Sequence, residues 1–372
     1  MIIAVNTRLR KEEQPEGYED FLFGILNLLT KRFPQHRFVF IADRPYTGKN
    51  HFPENVSSVV AGPETRGRLR LQYWFNYKIP AILRKKKVDV FVSMEGIACM
   101  RTKIPQCVLV PDPGFLQDPR LIKKSQARFF KKNTAAFLAK AKSVATVSEF
   151  SRTLIANRYK MNVADIAVIN PVINEDFIPI DWQEKEAVKE RYSEGKAYFL
   201  FSGDVNPNSN LINLLKAFSF FKKRQKSNMM LLIVGKADAS FKKELNTYKF
   251  RNEVLLLENL EAAELATITA AAYALVYPVI HAGLAPGPLQ AMQCAVPLVV
   301  SNRGAQPSIF GDAALYCDPA SSRDIAENMM LVFKDEDRAG QLIKAGNALL
   351  PQYHGDKTAD LLMRSIEQAI NN

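Results

Sequence analysis

The chain predicts an α/β protein built from two Rossmann-like halves. Three observations carry this. Short β-branched and aromatic runs alternate with segments of helical period, the alternation restarts once after a polar interruption near the middle, and 372 residues exceed one ordinary core. Strands separated by helices imply parallel sheets covered on both faces.

Ile2 to Thr7 and Arg37 to Asp43 read as strands, and between them Tyr18, Phe21, Leu22, Ile25 and Leu29 recur at helical spacing, which makes one βαβ unit. Further strands are expected at Val88 to Ser93, Cys107 to Val110, Ser143 to Ser148 and Ile166 to Asn170. Helices are expected over Leu69 to Leu83, with Trp74 and Phe75 in the core, Leu121 to Ala141, and Glu149 to Arg158. From Pro171 to Lys196 periodicity lapses into Pro, Asp, Glu and Lys, as in a linker, with a short helix at Glu184 to Tyr192. The expected division is a first domain over 1–175, a linker over 176–196, a second domain over 197–350, and a last helix in 351–372 that crosses back onto the first domain.

The second series starts with a strand at Tyr198 to Gly203 and a helix whose face is Leu211, Leu214, Leu215 and Phe218. Met230 to Gly235, Val254 to Leu257, Ala274 to Pro278, Pro297 to Ser301 and Ala314 to Cys317 give further strands. Within the stretch from His281 to Pro319, the residues Gly283, Pro286, Gly287 and Pro288 read as a turn outside any helix interior, after which Leu289 to Met292 opens a short helix. A loop feeding a helix N-terminus invites an anion.

Hydrophobic content of 47% with 24% charged residues fits a water-soluble globular protein, and no apolar run is long enough to span a bilayer. The start lacks a basic leader and an apolar core, so a cytoplasmic location is the expectation. Cys99, Cys107, Cys294 and Cys317 are scattered in apolar contexts, as are the four histidines along the chain. Reduced core thiols are therefore expected, and no metal site. Residues 1–180 carry 29 Lys and Arg against 16 Asp and Glu, whereas 181–372 carry 21 against 22. A one-sided basic field favours an acidic partner: an anionic membrane face or a lipid-phosphate acceptor, and not nucleic acid, since no nucleic-acid-reading motif accompanies it. The runs Arg84 to Lys87 and Lys123 to Lys132, the latter with Phe129 and Phe130, are the candidate membrane surfaces. Neither the glycine-rich dinucleotide fingerprint nor a Walker loop occurs.

Gly283, Leu289, Ala291, Met292, Pro297, Ser301, Asn302, Pro307, Gly311 to Ala314, Asp318 and Pro319 keep, in order and spacing, a pattern that resembles the donor-binding segment of family-4 (group 1) retaining glycosyltransferases. Ala145 to Arg152 is close to another string of that family, and Gly17 lies where its members have a glycine turn before the first helix. The resemblance implies the GT-B fold, two Rossmann-like domains facing across a cleft. It implies transfer of a sugar from a nucleotide-sugar donor to a polysaccharide or lipid-linked acceptor with retention, without metal or other cofactor.

The charged groups of the pattern are replaced. Ala282 and Gln290 stand where the resemblance places paired glutamates, and Ser308 where a later one falls. Asn208 and Ser209, in the turn after Gly203, replace an Arg and a Lys, and Pro111 precedes the retained Asp112 where a histidine is expected. Asn208 and Ser209 are therefore candidate donor contacts of neutral kind, and Gln290 a neutral partner for a ribose hydroxyl. Lys236, Arg303 and His281 are candidates to restore charge or chemistry. The candidate catalytic residues are Asp112 and His281; for Asp112 a turn or N-cap role is an equal reading. A catalytically degenerate glycosyltransferase fold acting as a binding or scaffold subunit is the alternative.

Overall fold

The computed structural model describes residues 1–8, 18–45, 52–284 and 286–372. Gly17 lies outside them. The chain forms two compact units, Met1–Val172 with Tyr353–Asn372, and Ile173–Gln352.

In the first unit seven parallel strands, β1 (Ile2–Asn6), β2 (Arg37–Ala42), β3 (Val56–Val60), β4 (Val90–Ser93), β5 (Gln106–Val110), β6 (Ser143–Thr146) and β7 (Ile166–Val168), lie in the order β3-β2-β1-β4-β5-β6-β7. The central strands β4 and β5 are buried along their whole length, which is why they read as unbroken apolar runs. Among the described residues the α-helices before residue 172 are α1 (Tyr18–Arg32), α2 (Arg68–Tyr73), α3 (Ile79–Lys85), α4 (Lys124–Lys140) and α5 (Glu149–Tyr159). Between α2 and α3 the backbone makes a π-helical turn, Trp74–Lys78, so one bent helix replaces the single one expected. Its inner face places Trp74, Phe75, Ile79 and Leu83 in the core beside Phe91 and Val108, and the Trp74 indole N–H donates to the Ala61 carbonyl at 2.7 Å. Each such side chain contributes about 1.5–3 kcal/mol through its burial.

In the second unit α6 (Trp182–Ser193) occupies the stretch expected to be linker, started by a capping box between Asp181 and Glu184. Six parallel strands follow: β8 (Tyr198–Ser202), β9 (Met230–Val234), β10 (Val254–Leu257), β11 (Ala274–Tyr277), β12 (Leu298–Ser301) and β13 (Ala314–Cys317), in the order β10-β9-β8-β11-β12-β13. The helices are α7 (Leu211–Gln225), α8 (Ala239–Asn246), α9 (Ala262–Ala270), α10 (Pro286–Gln293), α11 (Gln306–Phe310), α12 (Ser322–Lys334) and α13 (Glu336–Leu349). Phe221 on α7 meets Phe199 of β8 edge-on at 5.0 Å and Phe333 of α12 at 5.2 Å, which locks both helices to the sheet. α10 starts at Pro286, earlier than the glycines and prolines suggested. Proline fits the first helical turn because its missing N–H has no partner there in any case.

The last helix, α14 (Gly355–Asn371), belongs to the first unit. It buries Ala359, Leu362, Met363, Ile366 and Ala369 at helical spacing, and its Ser365 hydroxyl lies 2.7 Å from that of Ser143 on β6. Arg32 of α1 grips Asp360 in a fork, at 2.6 and 2.9 Å, an exposed pair that solvent screens. The apolar stripe therefore supplies most of the docking energy. All four cysteines are free and buried, and burial pushes the thiols of Cys294 and Cys317 up to about 12, so they are packing groups at neutral pH.

Candidate functional site

In the second unit β8 and β11 are neighbours although β9 and β10 separate them in sequence, so the connections leave them in opposite directions and open a crevice at their carboxyl ends. The loops after β8, β11 and β12 converge there, and neutral hydrogen bonds hold them together. The Asn208 side chain donates through Nδ2 to the His281 carbonyl at 2.7 Å and accepts through Oδ1 from the His281 amide at 3.0 Å. The Ile280 amide donates to the Asn208 carbonyl at 2.9 Å. Asn210, in a left-handed conformation, donates to the carbonyls of Pro278 at 2.9 Å and Pro319 at 2.7 Å, tying the end of β13 to the same place.

Two glycines let these loops touch. A Cβ on Gly287, in the first turn of α10, would meet the Ser202 carbonyl oxygen at 2.5 Å, so the start of that helix lies directly against the end of β8. Gly304 has φ +67°, and a Cβ there would lie 2.8 Å from the Ala282 carbonyl. The chain closes this contact with the Ala305 amide donating to Ala282 at 2.9 Å.

Of the residues expected at a donor site, Gly203, Asn208, Ser209, His281, Ala282, Gly283 and Gln290 lie on the loops and helix start around this crevice. Their state differs from a set of open contacts. Ser209 is 2% exposed: its hydroxyl donates to the Asp204 carbonyl and accepts from the Asn206 amide at 3.0 Å, capping its own turn. Asn208 is occupied by His281 on both sides of its amide, although one Nδ2 hydrogen and one Oδ1 lone pair are left over. Ala282 is buried and Gln290 half-buried. Lys236 is exposed beyond β9, near Glu258, whose carboxyl is held below its ordinary value by the Lys242 ammonium and the Ala237 amide. Arg303 is paired with Asp318 at 2.9 Å, and the Ser308 hydroxyl bonds back to the Ala305 carbonyl at 2.8 Å. Gln306, which no periodicity pointed to, is fully buried, and neither atom of its amide has a partner among the described residues.

Asp112 belongs to the first unit. Its Oδ1 accepts from the Gly114 amide at 2.7 Å, the arrangement of a turn aspartate. At the carboxyl edge of that sheet a buried polar cluster joins three strand ends. Arg8, after β1, donates from Nε to both Glu95 oxygens at 3.0 Å and from Nη2 to Oε2, and its Nη1 reaches the Thr65 hydroxyl at 3.1 Å. Thr65 donates by amide (2.8 Å) and hydroxyl (2.6 Å) to Asp43, while Asn6 donates to Glu95. Burial raises the Asp43 carboxyl, but the two Thr65 bonds together with Arg8 outweigh it and leave the group below its ordinary value. The one sequence signal was Glu95, a lone charge between apolar Val90 to Met94 and Ile97 to Met100.

Comparison with known proteins places this arrangement. Residues 183–348 match the model of the family described as glycosyl transferases group 1. This segment, which lies in the second unit, is similar to the group 1 glycosyltransferases. The O-antigen chain mannosyltransferase B of Escherichia coli is 27% identical over 222 residues, which is 59% of this chain and 58% of that relative's length. The O-antigen chain mannosyltransferase RfbU of Salmonella typhimurium is 28% identical over 318 residues, 82% of each chain. Among solved structures, Anabaena Alr3699/HepE in complex with UDP and glucose superposes with a TM-score of 0.77 at 15% identity, covering 99% of both chains. The fold is GT-B, two parallel-sheet Rossmann-like domains. The comparisons lend no support to a non-catalytic scaffold.

Proposed function

We propose that the chain transfers a sugar, from a nucleotide-linked donor and with retention, to a growing polysaccharide or lipid-linked glycan of the O-antigen kind. The observation that carries this reading is the crevice between β8 and β11, inside the segment that matches the family, with the start of α10 set against the end of β8. The two O-antigen mannosyltransferases among the relatives make a nucleotide-linked mannose the first donor to test.

In the reaction an acceptor hydroxyl attacks the anomeric carbon, the bond from that carbon to the diphosphate breaks, and the hydroxyl proton passes to the departing phosphate oxygen. Charge therefore builds on the diphosphate. Amides of the loop after His281 and the amide of Gly287, which stands between the two prolines that open α10, would meet it, with Gln290 offering a neutral bond to a ribose hydroxyl. Metal-free transfer on the cytoplasmic side of a membrane is part of the same reading. It is consistent with the basic first half and with the finding that, among the described residues, no helix is long and apolar enough to cross a membrane.

Thermal denaturation with GDP, UDP, GDP-mannose and UDP-glucose tests the donor half. A ligand at a hundred times its Kd stabilises by about 2.7 kcal/mol. At least one nucleotide sugar should raise the transition of the second unit. No shift with any of the four, together with no nucleotide release in the presence of lipid-linked glycan, overturns the reading.

A further inference from the structure

From Arg66 to Lys87 the chain carries eight Lys and Arg and no Asp or Glu. The bent helix formed by α2, the π turn and α3 lies in this stretch, and its two faces differ sharply. The inner face is spent on Trp74, Phe75, Ile79 and Leu83. On the outer face Leu69 is 82% exposed, Tyr73 47% and Tyr77 48%. The two tyrosine rings stack at 5.5 Å, and the Arg101 guanidinium lies 4.5 Å from the Tyr77 ring centre. Arg68 and Arg70 are exposed alongside.

These three apolar side chains sit four residues apart. In an unbroken α-helix residues four apart drift by about 40° per step, which winds such a row around the axis. The wider π turn takes up part of that drift and keeps Tyr77 beside Tyr73, so the helix shows one continuous row of leucine and tyrosine edged by arginines. The other candidates lack this combination. Along α4, Phe129 and Phe137 are buried and Phe130 stacks on Phe115 at 5.2 Å, which leaves its lysines without apolar neighbours to insert.

We infer that the outer face Leu69–Tyr73–Tyr77, with Arg68, Arg70 and Arg101, docks on an anionic lipid bilayer at the level of the headgroups. Tyrosine is suited to that depth because its ring is apolar and its hydroxyl stays wet, the leucine reaches the acyl boundary, and the arginines meet lipid phosphates. The absence of acidic residues over 22 positions gives the charge complementarity. A neutral glycan would use the stacked tyrosines but has no need of the cations. The inference rests on the lipid-linked acceptor within the proposed function.

The test is co-sedimentation of the full chain with vesicles of phosphatidylcholine containing 30% phosphatidylglycerol. Wild-type protein should bind these, bind pure phosphatidylcholine at least tenfold more weakly, and dissociate as salt is raised. Arg68→Gln with Arg70→Gln should weaken binding about 25-fold, since each cation at such a surface accounts for about fivefold. Leu69→Ser with Tyr73→Ser and Tyr77→Ser should weaken it at least tenfold, with circular dichroism and the nucleotide-sugar thermal shift unchanged. As a check that needs no loss of function, tryptophan fluorescence of Leu69→Trp should be quenched by brominated lipid in bound protein. Vesicle binding that is absent in wild type, undiminished in the triple variant, or unaccompanied by quenching overturns the inference, as does binding of neutral mannan through the tyrosines in place of vesicles. Retained donor binding and transfer to a water-soluble acceptor in the triple variant separates this surface from the reaction. Loss of donor binding in wild type would instead strike the proposed function.

Discussion

Replacing Asn208 by alanine tests whether the crevice of the second unit is held by a neutral clamp. Alanine keeps the Asn208 carbonyl that accepts from the Ile280 amide but deletes both side-chain bonds to His281, at 2.7 and 3.0 Å. Two neutral hydrogen bonds are worth about 1–3 kcal/mol together. Asn208 is half-buried, so water can reach the freed His281 groups, and the lower part of that range applies: about 1–2 kcal/mol. For a unit of this size that corresponds to a fall of about 3–6 °C in Tm. Because the chain has two compact units, the assay should follow the transition of the second one, for instance by urea denaturation read from the hydrogen-exchange protection of β8 to β13. Asn208→Asp should lose at least as much, since a carboxylate still accepts from the His281 amide but then faces the His281 carbonyl. A change below about 0.5 kcal/mol in both variants, matching that of the exposed control Lys236→Ala, would refute the clamp.

Glu95→Gln removes the carboxylate to which the buried Arg8 guanidinium donates and should destabilise the first unit by about 3–5 kcal/mol, read from denaturant unfolding. Asp43 sits below its ordinary pKa, so its contribution is fully present above the unfolded value and disappears as pH falls through the lower folded one. Thr65→Val removes one of the bonds that depress it and should move the acid-unfolding midpoint upward, measured by circular dichroism against pH. Gly304→Ala places a methyl against the Ala282 carbonyl at a positive φ and should cost about 1–3 kcal/mol in the second unit's unfolding. Gln306→Met removes a fully buried amide with no partner among the described residues and should raise stability by about 1–3 kcal/mol; a loss of stability would show that the amide is satisfied in solution.

The fold was legible where hydrophobic period and burial agree. β10 and β13 match their sequence expectation residue for residue; β4, β5 and β8, buried on both faces and bounded by turn residues, differ only at their ends. β3 escaped notice because Val56 to Val60 is an edge strand whose serines and outer valine face water, so it has neither an apolar run nor a clean alternation. The start of α10 is not legible from its prolines, since proline breaks a helix interior but is tolerated in a first turn. At the candidate site, residue types pointed to the loops around the crevice but could not say what those side chains bond. Ser209 and Asn208 looked like ligands for a phosphate, and their partners, Asp204, Asn206 and His281, are fixed only by tertiary geometry. The cluster around Arg8 was less legible still, since its members come from four separate segments and none is unusual alone.

The clamp bears on how the crevice would be stabilised under the proposed function. An arginine and a lysine in the turn after β8 would repel one another and the positive end of a nearby helix until an anion arrived, so such a turn is completed by its ligand. Asn208, Ser209 and Asn210 instead complete the turn themselves, through bonds to Asp204, Asn206, Pro278, His281 and Pro319 that need no ligand. Under the proposed function, a crevice formed this way would lack the charge-assisted part of diphosphate affinity but would require less ordering when the donor enters. The attraction for phosphate would then come from backbone amides of the loop after His281 and of Gly287, held in place by the same clamp. Disturbing Asn208 would accordingly weaken the proposed donor site through geometry, without removing any charge.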